Sequence, residues 1–370
     1  MVDIEISPGK RARTAYSFDD ISIAPSRRTR EPSEVSIDWK IDAYSFGLPL
    51  LAAPMDSVVS PESAIAIGKL GGLGVLNLEG LWSRYENPKI QLGEISSIPA
   101  EQATRRMQEL YQAPIRAELI KERLAEIRAA GVCVAAALSP QRTAQFYKSV
   151  IDAGVDIFVI RGTTVSAEHV SKTNEALNLK KFIYELDVPV IVGGCATSQS
   201  ALHLMRAGAA GVLVGFGGGA AHTTRQVLGI SVPMATAVAD VAAARREYLD
   251  ESGGRYVHVI ADGSVGKSGD IAKAIACGAD AVMLGSPLAR AESAPGRGWH
   301  WGPEAHHSEL PRGTRVYVGS SGSLEEILLG PSHSADGSMN LFGALRRAMA
   351  TSGYSDLKEF QRVEIVLNRA

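Results

Sequence analysis

A short, continuous apolar run that follows a helix and a glycine stop recurs along this chain, and no other feature restricts its fold as strongly. Pro61 opens a helical segment carrying Ala64, Ile65, Ile67 and Leu70; Gly71 and Gly72 stop it, and Leu73 to Asn77 follows as a strand. The pattern repeats where Gly131 precedes Val132 to Ala136, Gly154 precedes Val155 to Ile160, Gly208 precedes Gly211 to Val214, and Gly278 precedes Ala281 to Leu284. With Leu48 to Met55, Val188 to Val192 and Tyr256 to Ile260, the count reaches eight. Runs that are apolar throughout, rather than alternating, suit parallel strands buried on both faces by helices. Eight of them in alternation with helices predict an α/β protein of the (β/α)8 TIM-barrel type, built as one domain over residues 1–370. The alternative is an open doubly wound sheet, but no Gly-x-Gly-x-x-Gly follows the first strand.

A barrel of this kind gathers its ligands at the C-terminal ends of the strands, and phosphate commonly sits after strands seven and eight. Here those ends read Asp262-Gly263-Ser264 and Leu284-Gly285-Ser286. The sixth strand runs into Gly215-Phe216-Gly217-Gly218-Gly219-Ala220-Ala221-His222, the best-marked loop of the chain. Glycines there allow positive φ and let backbone amides and carbonyls approach a ligand closely. A plain strand-to-helix turn would read the same way in isolation.

Composition limits the function classes. A formal charge of −2 predicts no general attraction to nucleic acid or acidic membranes, and Arg27-Arg28-Thr29-Arg30 is a short cluster beside Glu31 and Glu34 that reads as a solvated turn. Cys133, Cys195 and Cys277 show no metal-ligand spacing, which fits a reducing, cytoplasmic setting. No apolar run approaches a bilayer-spanning length, and no signal-like start opens the sequence.

Two segments exceed the repeating unit. Between strands two and three lie about fifty residues, twice the usual length, with amphipathic helices expected at 103–111 and 117–129 inside an elaboration covering 82–130. After strand eight, Trp299, His300, Trp301, His306 and His307 match no metal motif and read as a mobile aromatic loop over the barrel mouth. A last helix is expected at 341–350, and residues 1–47 form an N-terminal extension.

Phe18-Asp19-Asp20, Ala53-Pro54-Met55-Asp56-Ser57-Val58, Gly193-Gly194, the glycine loop, Ile260-Ala261-Asp262-Gly263, Gly269-Asp270-Ile271-Ala272-Lys273-Ala274, Val282-Met283-Leu284-Gly285-Ser286 and Ala294-Pro295-Gly296 occur in an order that resembles the IMP dehydrogenase/GMP reductase family. The resemblance implies a homotetramer that binds a purine nucleoside monophosphate and NAD or NADP. On the matching positions, Asp262 would accept from the ribose hydroxyls, the amides of Ser264, Gly285 and Ser286 would hold the phosphate beside Gly263 and Ala220, and Met55 would lie against the base. Arg161, Gly215 and Gly217 fall on the cofactor half. The backbone of Gly217, Gly219 and His222 would match the family's loop for a monovalent cation such as K+.

Departures from the family are as informative as the matches. His222 stands at the position of the family's nucleophilic cysteine, which removes the thioimidate adduct; it reads as a ligand contact in a barrel without that step, as a base in altered chemistry, or as a loop histidine. Thr224 keeps the family's threonine. Cys195, at a position usually held by asparagine, is expected to face the mouth, either as a buried structural thiol or as a relocated nucleophile. Arg161 replaces an aspartate on the nicotinamide ribose; an arginine cannot accept from a diol but can pair with a phosphate, as of NADP or another anion, or it is a surface or interlayer arginine. Arg312 replaces the acidic or amide residue near the purine N1 edge. Residues 297–370 hold only a shortened catalytic flap, and 82–130 leave no room for the family's CBS domains. Two functions remain in competition: an oxidoreductase with altered chemistry, and a non-catalytic purine-nucleotide sensor or scaffold.

Overall fold

The computed structural model describes residues 3–166 and 177–368. Eight parallel strands close into a barrel: β1 (Leu50–Ala52), β2 (Leu73–Asn77), β3 (Ala135–Leu138), β4 (Ile157–Arg161), β5 (Val190–Cys195), β6 (Gly211–Val214), β7 (His258–Asp262) and β8 (Ala281–Leu284), with β8 pairing back to β1. All eight lie on the expected apolar runs. β5 and β7 run further than the sequence pattern suggests; in β5, Gly193 keeps its ladder pairing with Arg161 and Leu213. A Cβ at Gly193 would fall 2.4 Å from that of Leu213, so only glycine continues the strand there.

Helices cover the barrel with local signals that explain their ends. Ser60 caps α1 (Pro61–Lys69) by accepting from the Ser63 amide, and Gly71 leaves it at a φ of 93°. The elaboration after β2 contains α2 (Pro88–Ser97), α3 (Ala100–Tyr111) and α4 (Ala117–Ala129). Its first helix was not legible as an amphipathic repeat; only Leu92 and Ile95 supply its buried aliphatic face, beside Pro88. Met107, Leu110, Leu119, Leu124 and Ile127 are buried as their spacing predicts. The expected last helix is present as Leu341–Thr351.

The N-terminal extension closes the opposite end of the barrel. Trp39–Ile41 and Tyr44–Phe46 form a hairpin, and the Trp39 indole donates to His258 Nδ1 at the start of β7, 3.2 Å away. Ile21–Ile23 pairs antiparallel with Ile365–Leu367. Among the described residues, no helix is long and apolar enough to cross a membrane.

Candidate active site

The C-terminal strand ends meet as expected, with the glycine loop threaded between two turns. Gly263, at a φ of 110°, lies so close to Gly217 that an added Cβ would fall 2.4 Å from the Gly217 carbonyl carbon. Gly218 faces the Ser264 hydroxyl and Gly219 faces Ser286 in the same manner, and the Ala220 amide donates to Ser286 Oγ at 3.1 Å. Side chains on those glycines would push the three turns apart. The amides of Ser264, Gly285 and Ser286 donate to no protein acceptor among the described residues, and Ser286 begins a short helix, Ser286–Ala289. Together they offer N–H groups to an anion. Met55 is buried beside this cradle, with its sulfur at Gly285.

His222 sits against Gly217 and directs Nδ1 to Glu304 Oε1 at 3.3 Å, both side chains being largely buried. Burial opposes ionisation of Glu304, yet the hydrogen bond to His222 pulls its carboxyl down to about 2. Glu304 arrives on the turn Pro303–Ala305 and was missed at the sequence level. Its main-chain carbonyl accepts from the Arg312 amide at 2.8 Å, and the Arg312 guanidinium reaches Thr224 Oγ1 and Thr163 Oγ1 at 3.2 and 3.3 Å. Arg312 therefore ties β4's loop to the residues after His222, with Glu304 Oε1 3.9 Å away.

Arg161 and Asp262, the last residues of β4 and β7, meet across the mouth. The Arg161 Nε donates to Asp262 Oδ2 at 3.2 Å and Nη2 lies at the same distance. The pair is only 12% and 7% exposed at its side chains, so losing either partner would strand a buried charge.

Cys195 departs from its expected position at the mouth. Its side chain is turned onto the Leu213 carbonyl, the residue is 1% exposed, and burial pushes the thiol up to about 12. It is a protonated packing residue and presents no thiolate. Gly215 likewise lies under the Asp262 carbonyl, which an added Cβ would meet at 2.2 Å; its role is to let β6 pass β7. The carbonyls expected around a monovalent cation have other neighbours: Gly219 accepts from the His222 amide at 3.1 Å, and the Gly217 carbonyl is covered by Gly263.

The aromatic segment after β8 is packed down rather than free. His300 and Trp301 are each 1% exposed, and Ser57 Oγ lies 2.9 Å from His300 Nδ1. Burial pushes the His300 imidazole down to about 3, keeping it neutral. Helix α3 holds this segment: the Trp301 indole donates to Tyr111 Oη at 2.9 Å, Tyr111 donates to Asp56 Oδ2 at 2.5 Å, and the His306 ring stacks on Tyr111. Gln108 adds a bond to the His307 carbonyl, and Arg315 reaches the carbonyls of Ile95 and Ile98.

A family model described as the IMP dehydrogenase/GMP reductase domain matches residues 15–308, a span that includes every strand of the barrel. The chain belongs to the IMP dehydrogenase/GMP reductase family. It is 52% identical to an uncharacterized oxidoreductase of Mycolicibacterium smegmatis over 98% of this chain and 99% of that protein. It is 27% identical to the inosine-5'-monophosphate dehydrogenase of Methanocaldococcus jannaschii over 95% of this chain and 92% of the relative. An IMP dehydrogenase/GMP reductase-like protein of known crystal structure from Corynebacterium glutamicum superposes with a TM-score of 0.94 and 51% identity, covering 99% of this chain and 98% of its own.

Within this IMP dehydrogenase/GMP reductase barrel the two ligand halves differ. The cradle after β7 and β8 offers backbone amides to a phosphate-sized anion. A nicotinamide ribose needs an acceptor for its diol; the Arg161 side chain, bound to Asp262, has only donors, while Gly215 lies under the Asp262 carbonyl and Gly217 backs the His222 ring. Ser57, His300 and Glu304 are the additions that the fold brings to the site. Ser57, His300 and Glu304 all lie in segments marked in the sequence, but no motif singles out Glu304 within its own.

Proposed function

We propose that the chain binds a purine nucleoside monophosphate, IMP or GMP, across its strand ends and acts at the purine C2 by base chemistry in place of a cysteine adduct. The contact of His222 Nδ1 with Glu304 carries this reading. A carboxylate on Nδ1 favours the tautomer whose Nε2 bears the lone pair, and it offsets the charge that appears when Nε2 takes a proton. His222 then removes a proton from water as the oxygen bonds to C2, the π pair of the C2=N3 bond moves onto N3, which takes a proton from solvent, and the carbon becomes tetrahedral. Phosphate rests on the amides of Ser264, Gly285 and Ser286, and the base lies on Met55. NAD or NADP is the second substrate of the reading; because its ribose finds no acceptor at Arg161, the steps assigned to the protein end at the tetrahedral carbon. The family reading also brings a homotetramer, to be measured by light scattering, and a reducing cytoplasm that suits three free thiols.

The second reading, a nucleotide-binding protein without redox turnover, is favoured by that same misfit at Arg161. One experiment separates them. Purified protein is mixed with IMP and NAD, and separately with GMP and NADPH, and nicotinamide absorbance is followed in a single turnover beside His222→Ala and His222→Cys. Turnover that vanishes in H222A supports the base. Silence in the native protein with turnover in H222C assigns a binding role, and silence in all three removes the redox reading.

A further inference from the structure

We propose that Arg161 reads the ribose of the bound nucleotide together with Asp262, as one donor–acceptor edge, and so serves the substrate and not a dinucleotide cofactor. The inference rests on the nucleotide-binding reading above. Its basis is the placement of the guanidinium. Nε donates to Asp262 Oδ2 at 3.2 Å and Nη2 lies at the same distance from it, so the guanidinium engages that oxygen and leaves Oδ1 as an acceptor. The remaining N–H groups of Arg161 stand beside it as donors. Asp262 runs directly into Gly263 and Ser264, so this edge and the phosphate amides lie within one turn and suit the sugar and phosphate of a single nucleotide.

Ligand chemistry follows from the edge. A hydroxyl donates and accepts at once, so a vicinal diol gives a proton to Oδ1 and takes one N–H from Arg161. A ribose phosphate does not suit it. The Arg161–Asp262 pair carries no net charge, and Glu304, whose carboxyl is held down partly by Arg161, adds a second carboxylate nearby. A second phosphate would face both. The unphosphorylated 2',3'-diol is therefore the group selected, and the acidic residue that the family uses for the nicotinamide ribose has been exchanged for one that strengthens the grip on the substrate sugar.

Calorimetric titration with IMP, 2'-deoxy-IMP, ribose 5-phosphate and 2-deoxyribose 5-phosphate tests this, using the native protein, Arg161→Gln and Arg161→Lys. Glutamine keeps a donor for Asp262, and lysine keeps the charge without the fork. Native protein should prefer IMP over 2'-deoxy-IMP by about tenfold or more, the worth of a hydrogen bond to a charged group. R161Q should shrink that ratio severalfold, and R161K should fall between. A ratio unchanged in a folded R161Q, with both affinities weakened alike, would show a purely structural arginine and overturn the proposal. If IMP binds no better than ribose 5-phosphate, the purine reading fails, while the ratio between the two sugar phosphates still decides Arg161. If none of the four probes binds the native protein, both readings fall.

Discussion

Single residues decide the chemistry of this mouth. Replacing Glu304 by glutamine keeps its size but lets the amide present either a donor or an acceptor to His222, so the tautomer is no longer fixed. We expect turnover to fall by roughly a hundredfold, within the usual range for general-base assistance, with nucleotide affinity little changed. Equal losses in affinity and turnover would point instead to a collapsed site. Gly263→Ala is a separate case. Its φ of 110° and the 2.4 Å approach to Gly217 leave no room for a methyl group, and the obstacle is backbone that cannot rotate away. Strain of about 1–3 kcal/mol is expected, together with loss of phosphate binding, and unaltered binding of IMP by G263A would refute the interlocked turns. The glycines and His222 could be read from the sequence because they sit in one loop. Glu304 could not: it reaches His222 across 82 residues of chain, through a turn with no periodicity of its own.

At the scale of elements, the helices between β2 and β3 behave as a brace for the segment that follows β8. Tyr111 is the joint, since its hydroxyl serves both Asp56 and the Trp301 indole while its ring supports His306. Tyr111→Phe preserves the stacking and removes both bonds, leaving the indole N–H without its acceptor and Asp56 Oδ2 with the Leu81 amide alone. A loss of about 1–3 kcal/mol is expected, and hydrogen exchange should quicken over 299–315 before it changes in the barrel strands. Uniform quickening would mean that Tyr111 supports the whole core and not this segment. Helix α3 was expected from the spacing of its apolar residues, but the side of the barrel on which it would lie depends on tertiary contacts that no repeat records. The same limit made the aromatic segment read as mobile: its residues look like those of an exposed loop until Tyr111 and Ser57 give them partners.

For the molecule as a whole, eight apolar runs were enough to specify a closed barrel, because strands buried on both faces admit few arrangements. The acid response of that barrel follows from groups held in the wrong charge state for water. Burial lowers His258 to about 4 and His300 and His306 to about 3, below the ordinary 6.5, so the unfolded chain takes up their protons first and stability falls as pH drops below that value. Asp56 works in the opposite direction, since burial raises its carboxyl to about 6 and the folded chain holds the extra proton between that value and its ordinary 3.8. Three protons against one leave a net uptake on unfolding, so stability is lost as pH falls from about 6 towards 4. Urea unfolding at pH 7, 6 and 5 measures this, and a flat profile would contradict it. The brace on Tyr111 carries one more consequence, in the language of linkage. Binding free energies are reciprocal, so if nucleotide entry must loosen the contact between Trp301 and Tyr111, whatever tightens that contact from outside weakens the nucleotide by the same factor. On that condition, the surface of the helical insertion would be a place from which occupancy of the barrel is set.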